Sequence, residues 1–568
     1  MSSDDLSDHH HHTDEENGTI TTTETLNNHN SSLCKKINLF HIDIRSEFSH
    51  HNPTVARINN GSFGSCPTSV IEAQQRYQLR FFQQPDDFYL NHLKPSILRS
   101  REAIKTLINA NHVDEISIVD NATTGAAIVL QHVKWSFFES KFNAGDTAVM
   151  LHYAYGAVKK SVEAYVTRAG GHVIEVKMPY PVTSNNEIIR SFKNALELGK
   201  LNNRKVRLAV IDHITSMPSV VIPVKELVKL CREEGVDCIF VDAAHAIGSI
   251  EVDVQDIGAD FYTSNLHKWL FCPPSIAFLH CRNPELSNLH HPVVSHEYGN
   301  GIAIESSWVG TRDYSAQLVV PEALEFVNRF EGGLDGIRKW NHEKVVEMAE
   351  MLVKVWGTNL GTPLDMCSSM VMVGLPACLG IRSDSDTLKL RSHLRDCFKV
   401  EVPIYYRQPK DGEVDLVTGY ARISHQIYNT VDDYYRFRDA ICNLVSSGFT
   451  CVIVERDVEK VLLDVRLRVA VDFTIMLLLQ RIKQQQYLEE KNHLPDLKVT
   501  NLIASDEVDC SSGLYGICCL AYKFVQLVWS SCFHNKLDVD KSTSLEIHFR
   551  QLNLLELFLS KNKEFRAK

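Results

Sequence analysis

Residues 241–247 read VDAAHAI, and residues 264–274 read SNLHKWLFCPP. An Asp closes an apolar run that fits a buried strand. A Lys stands 26 positions later, after a second short run, with His and Trp on either side. An amine beside apolar and aromatic residues is desolvated, which lowers its pKa and makes it nucleophilic. Lysine Schiff-base chemistry with pyridoxal phosphate needs such an amine. It also needs a carboxylate at the pyridinium nitrogen, so that the ring can act as an electron sink. One Asp and one Lys taken alone fit an ordinary ion pair equally well.

Outward from this stretch, short β-branched runs alternate with longer amphipathic ones. Strands are expected at 115–120 (EISIVD), 147–151, 172–176, 206–212 (VRLAVID), 237–242 (DCIFVD) and 260–263. Helices are expected at 125–133 and 224–234. This alternation predicts an α/β fold whose large domain has a mostly parallel sheet flanked by helices. In such sheets ligands bind beyond the carboxyl ends of the strands. Near residues 310–314 the style changes. Long helices at 321–332 and 334–355 precede short strands at 369–373, 400–405 and 420–424 and a helix at 430–445. These predict a smaller α+β domain. The boundaries read are 34–320 for the large domain, whose N-terminal part could join the small one, and 321–447 for the small domain.

Composition sets the bounds. The 568 residues carry 59 Lys+Arg against 70 Asp+Glu, for a net charge of −11. No basic face for nucleic acid is expected from that balance. Residues 1–33 hold seven acids and no Lys or Arg, lack a hydrophobic period, and are expected to be a disordered acidic head. The run His9–His12 fits a solvated polar tract better than a metal site. Of the 27 Gly, 24 fall within 34–448, where tight turns and close ligand approach are therefore expected. The 15 Cys show no CxxC pair and read as reduced thiols. No apolar run approaches the ~20 residues of a membrane span. A soluble, cytoplasmic protein is the expectation.

Six further segments stand in order with 241–269: INNGSFGSCP near residue 58, NATTGAA from Asn121, HYAYGA from His152, DHITS from Asp212, WVGTRD from Trp308 and ARISHQIYN from Ala421. Together they resemble the class V aminotransferase family of fold-type-I pyridoxal-phosphate enzymes, over about residues 45–447. The resemblance is to the branch of isopenicillin-N-epimerase-like proteins and plant L-cysteine desulfhydrases. It replaces the simple ion-pair reading of Asp242 and Lys268. By resemblance, Lys268 forms the Schiff base and then moves protons at the substrate Cα, and Asp242 pairs with the pyridinium nitrogen. His245 lies near the phenolic oxygen. Ala122, Thr123 and Thr124 take the phosphate at a helix start, with Asn265 and His267 near it. Thr311 reaches the phosphate in the neighbouring subunit of a homodimer. Tyr153 stacks on the ring where many members have His. Ser216 replaces a common Asn, so its contact with the ring oxygen is in doubt. Arg422 forks onto the substrate carboxylate, and Asn60 belongs to the same substrate set.

Desulfurases of the family carry a nucleophilic Cys shortly before that arginine, whereas no Cys lies between Val400 and Arg422. Cys397 reads as structural. The resemblance then implies α,β-elimination of L-cysteine to hydrogen sulfide, pyruvate and ammonia. An epimerase, a desulfurase-like enzyme and a non-catalytic binding protein on the same fold are the alternatives. Residues 448–568 have no counterpart in the resemblance. They carry 16 acids and 16 bases over 449–568 and read as an extension without catalytic residues.

Overall fold

A computed structural model describes residues 44–409 and 417–451. All of them fall in the first of the chain's two units, Met1–Val454. The acidic head and all but the first few residues of the extension lie outside the described residues.

Seven strands form the central sheet: β1 (Ile116–Val119), β2 (Thr147–Leu151), β3 (His172–Val176), β4 (Val206–Asp212), β5 (Cys238–Asp242), β6 (Phe261–Asn265) and β7 (Ala277–Cys281). Their spatial order is β1-β7-β6-β5-β4-β2-β3. Strands β2 to β6 run parallel, while β7 lies antiparallel between β1 and β6. The sequence pattern offers no strand at 277–281, although AFLHC is apolar at every position but His280. Strands β5, β6 and β7 are buried throughout, as are all positions of β4 except Arg207. A strand covered by helices on both faces shows such continuous burial. One apolar core fills one face of the sheet, with Phe192, Ile211, Val241, Trp269 and Phe326. A second fills the other, with Ile128, Val129, Leu208 and Phe240.

The helix Ala122–Phe138 starts directly after β1. Its Asn121 N-cap accepts a hydrogen bond from the Thr124 N–H at 3.0 Å, satisfying one otherwise orphaned donor of the first turn. It begins three residues earlier, and ends five later, than its apolar run alone suggests.

A second sheet is antiparallel: β8 (Met370–Gly374), β9 (Ile404–Tyr406) and β10 (Gly419–Ser424), in the order β9-β10-β8. The single strand expected at 400–405 is broken. Pro403 has no N–H to give a ladder, so Val400–Glu401 pairs elsewhere, with Ala56–Arg57. The Pro403 carbonyl still accepts the Arg422 N–H at 2.9 Å. The helices Gly333–Trp356, Asp384–Phe398 and Val431–Ser446 cover this sheet, and Ala56 and Ile58 pack in its core. Among the described residues no helix is long and apolar enough to cross a membrane.

Candidate active site

Asp212, Asp242 and Asn265 end β4, β5 and β6, so one edge of the sheet gathers three polar side chains. The chain turns at Asn265 into the short helix Leu266–Trp269, which carries Lys268 over that edge. Close packing holds this turn. Gly64 has φ +70, and a Cβ built there would stand 1.7 Å from the His267 carbonyl oxygen. Only glycine permits both the left-handed backbone and this approach. The Asn60 side chain donates to the Lys268 carbonyl at 2.8 Å and accepts from the Tyr428 hydroxyl at 2.8 Å.

Lys268 Nζ lies 3.1 Å from His245 Nε2. Burial pushes the amine down to about 7, Arg422 adds to that, and Asp242 opposes it. Burial, then Lys268, holds His245 well below the ordinary histidine value. The pair is therefore largely deprotonated above neutrality. His245 Nδ1 is buried with no partner. Asp242 is 4% exposed and accepts the Ala244 N–H at 3.1 Å. Burial raises its carboxyl, against the pull of Lys268.

Asn265 accepts the Ala122 N–H at 2.9 Å and donates to the Ala244 carbonyl at 3.4 Å. It thereby locks the helix start to the strand edge. Gly125 allows the close approach, because a Cβ there would meet Thr263 Oγ1 at 2.4 Å. Thr123, in this first turn, is exposed, and Thr124 is half-buried. His267 is held down to about 4 by burial first and then by Lys268. Tyr153 is half-buried, with its ring centroid 3.7 Å from that of His152 and 6.4 Å from that of Tyr180. Burial raises its phenol to about 12, so it is uncharged across the physiological range.

Arg422 sits on β10 and is 2% exposed. Nη1 donates to the Ser216 carbonyl at 3.0 Å and to its hydroxyl at 2.8 Å. Nη2 donates to Ser62 Oγ at 2.9 Å and Asn59 Oδ1 at 3.3 Å. Nε is buried without a partner, and Tyr405 places its ring centroid 5.9 Å from the guanidinium. Ser216 thus steadies the arginine. Asn60 spends both ends of its amide on Tyr428 and Lys268, and Asn59 is the residue that touches Arg422. Sequence reasoning missed Asn59, Ser62 and Tyr428, none of which carries a chemical signature of its own. It also missed Asp212, although VRLAVID ends on Asp just as DCIFVD does.

Thr311 is exposed. Its neighbour Arg312 forms a two-bond ion pair with Asp120, immediately before the Asn121 cap. Cys397 is exposed on the last turn of its helix, 3.7 Å from His393 Nδ1. No group of three or more His, Cys, Asp or Glu able to hold a metal occurs among the described residues.

These residues fit a phosphorylated pyridine aldehyde. A near-neutral buried amine, a buried carboxylate, an unpartnered imidazole nitrogen and a helix start share one edge of the sheet.

Comparison with known proteins agrees with this geometry. The class-V aminotransferase family matches residues 65–382. A probable chloroplastic L-cysteine desulfhydrase of Arabidopsis thaliana is 68% identical over 412 residues, covering 72% of this chain and 87% of that protein. An L-cysteine desulfhydrase of the same plant is 60% identical, covering 72% and 92%. Among solved structures, the cystine C-S lyase C-DES in complex with its reaction product, cysteine persulfide, superposes with a TM-score of 0.54. The identity is 18%, with 68% of this chain and 97% of that chain covered. The chain belongs to the class-V aminotransferase family, a group of fold-type-I pyridoxal-phosphate enzymes close to the plant cysteine desulfhydrases.

Proposed function

We propose that this member of the family is a pyridoxal-phosphate-dependent carbon–sulfur lyase acting on L-cysteine. With one water consumed, it releases hydrogen sulfide, pyruvate and ammonia. The observation that carries the reading is Lys268, a buried amine brought down to about 7, 3.1 Å from His245 and within the electrostatic reach of Asp242.

When bound, the cofactor supplies an electron sink for the pair of electrons left at the substrate Cα. Asp242 is placed to hold the ring nitrogen protonated. The start of the helix Ala122–Phe138, with Thr123 and Thr124, suits the phosphate, because N–H groups and the helix dipole converge there. Tyr153 offers an uncharged ring face. Lys268 takes the Cα proton, a task that suits an amine whose pKa lies near the working pH. His245, 3.1 Å away, is the neighbouring base to which that proton can pass. Arg422 orients the substrate carboxylate by exchanging its present bonds to Ser216 and Ser62 for carboxylate oxygens. The absence of any Cys between Val400 and Arg422 favours release of free sulfide over its retention as an enzyme persulfide. We read the working form as a homodimer, supported by the exposure of Thr311 and, at 70%, of Phe63, both beside site segments.

Incubation with L-cysteine tests the reaction. Sulfide and pyruvate in equal amounts are expected. Alanine with persulfide, or D-cysteine, overturns the lyase reading in favour of a desulfurase or an epimerase.

A further inference from the structure

Asp212 is a second carboxylate at the strand edge, for which the reaction above has no use. It ends β4 as Asp242 ends β5, and the two are register partners on adjacent parallel strands. Register partners point to the same face, with backbones about 4.8 Å apart. Asp212 is 3% exposed and Asp242 4%. Asp212 Oδ2 is buried with no hydrogen-bond partner. The backbone N–H groups of Asp212 itself and of Tyr155, the N-cap residue of the helix Gly156–Tyr165, favour the charged carboxylate.

The groups facing the pair come from several elements. Asp242 faces Asp212 from β5, and Lys159 faces it from the capped helix. Lys268 faces Asp242 from the turn after β6, and Tyr262 faces it from β6 itself. His213, next in the chain, is neutral by burial, and its Nδ1 lies 2.8 Å from the Tyr262 hydroxyl. Two buried like charges this close do not both ionise. Asp242 has the N–H of Ala244 and the amine of Lys268 to favour its charged form. Burial and the Asp242 charge raise the Asp212 carboxyl far above the usual range, beyond what the N–H groups of Asp212 and Tyr155 and the charge of Lys159 restore.

We infer that Asp212 is a positioning residue. It keeps the one proton of the carboxyl pair, so that the pair's single negative charge rests on Asp242. The inference rests on the reading of Asp242 as the partner of the ring nitrogen.

The test uses the full-length purified protein and Asp212→Asn, which keeps the shape of the group and fixes it uncharged. In infrared difference spectra at neutral pH, wild type minus variant, a protonated-carboxyl carbonyl stretch is expected. Its absence overturns the inference. This readout reports a proton on the pair. The visible absorption of the lysine-bound cofactor, titrated with pH, reports which member holds it. The midpoint in Asp212→Asn is expected to match wild type. A displacement of about one unit, tenfold in proton affinity, overturns the inference, because it means that the substitution removed a charge. A protein with no visible absorption at all overturns the proposed function instead, and the infrared measurement still decides whether the pair holds a proton.

Discussion

The site has two ends, built in different ways. Lys268 rides on a four-residue helix directly after β6, and its partners His245 and Asp242 lie within 26 residues of it. Arg422 comes from a separate antiparallel sheet. Its four hydrogen bonds reach Asn59, Ser62 and Ser216, separated from it by 363, 360 and 206 positions. The first end is held by backbone, with turns, strand ends and a glycine that admits no Cβ. The second is held mainly by side chains, which accept three of the four bonds. A backbone-built end fixes protons and charge. A side-chain-built end can let go of its partners when a substrate arrives.

Substitutions can break this contrast or sharpen it. The largest effect is expected for Lys268→Ala, which removes the visible cofactor absorption and lowers the rate of sulfide release by about 10³-fold or more. Retained colour would break the assignment of the chemical end. Next is Arg422→Lys, which keeps the charge but loses the fork. Its kcat/KM is expected to fall by about 10- to 100-fold through KM, as for the loss of one or two hydrogen bonds to a charged group. A loss confined to kcat would place Arg422 with the chemistry instead.

The third prediction concerns pH. The Lys268 amine is depressed, so its neutral form dominates above about 7. The rate at which cofactor-stripped protein recaptures pyridoxal phosphate should rise tenfold per unit below that value and level off above it. A midpoint near the ordinary lysine value would remove the electrostatic half of the contrast. Asn60→Ala should lower stability by about 2 kcal/mol, since it leaves the Tyr428 hydroxyl and the Lys268 carbonyl unsatisfied. Denaturant titration measures it. The smallest effect is expected from Asn121→Ala, about 1 kcal/mol for a lost N-cap, with no change in KM for L-cysteine.

The same contrast explains what was legible in the sequence. Strands 147–151, 172–176 and 206–212 match their observed bounds residue for residue, because each is a short run rich in β-branched and apolar residues between polar or glycine stops. Lys268 and Asp242 could be placed because one contiguous stretch contains both. The supports of Arg422 could not, because Asn59 and Ser62 look like any turn residues until the fold brings them 360 positions along the chain. For the same reason the resemblance points to Asn60, whereas Asn59 is the one that touches Arg422. Two adjacent asparagines cannot be told apart until one is seen to face Lys268 and the other Arg422. The sequence reading runs one strand through Pro403, and neither the break there nor the pairing with Ala56–Arg57 follows from it.

That early segment has a consequence for how the chain comes to life on the ribosome. Ala56–Arg57 waits for Val400–Glu401, and the Ile58 carbonyl waits for the Ser424 N–H, 3.0 Å away in the finished molecule. Nearly the whole catalytic body must therefore be synthesised before its first described strand finds a partner. Contacts of such long sequence separation form slowly. A polypeptide stalled before Arg422 would own its reactive lysine without the means to orient a substrate over it, and activity would arrive as a late, single event.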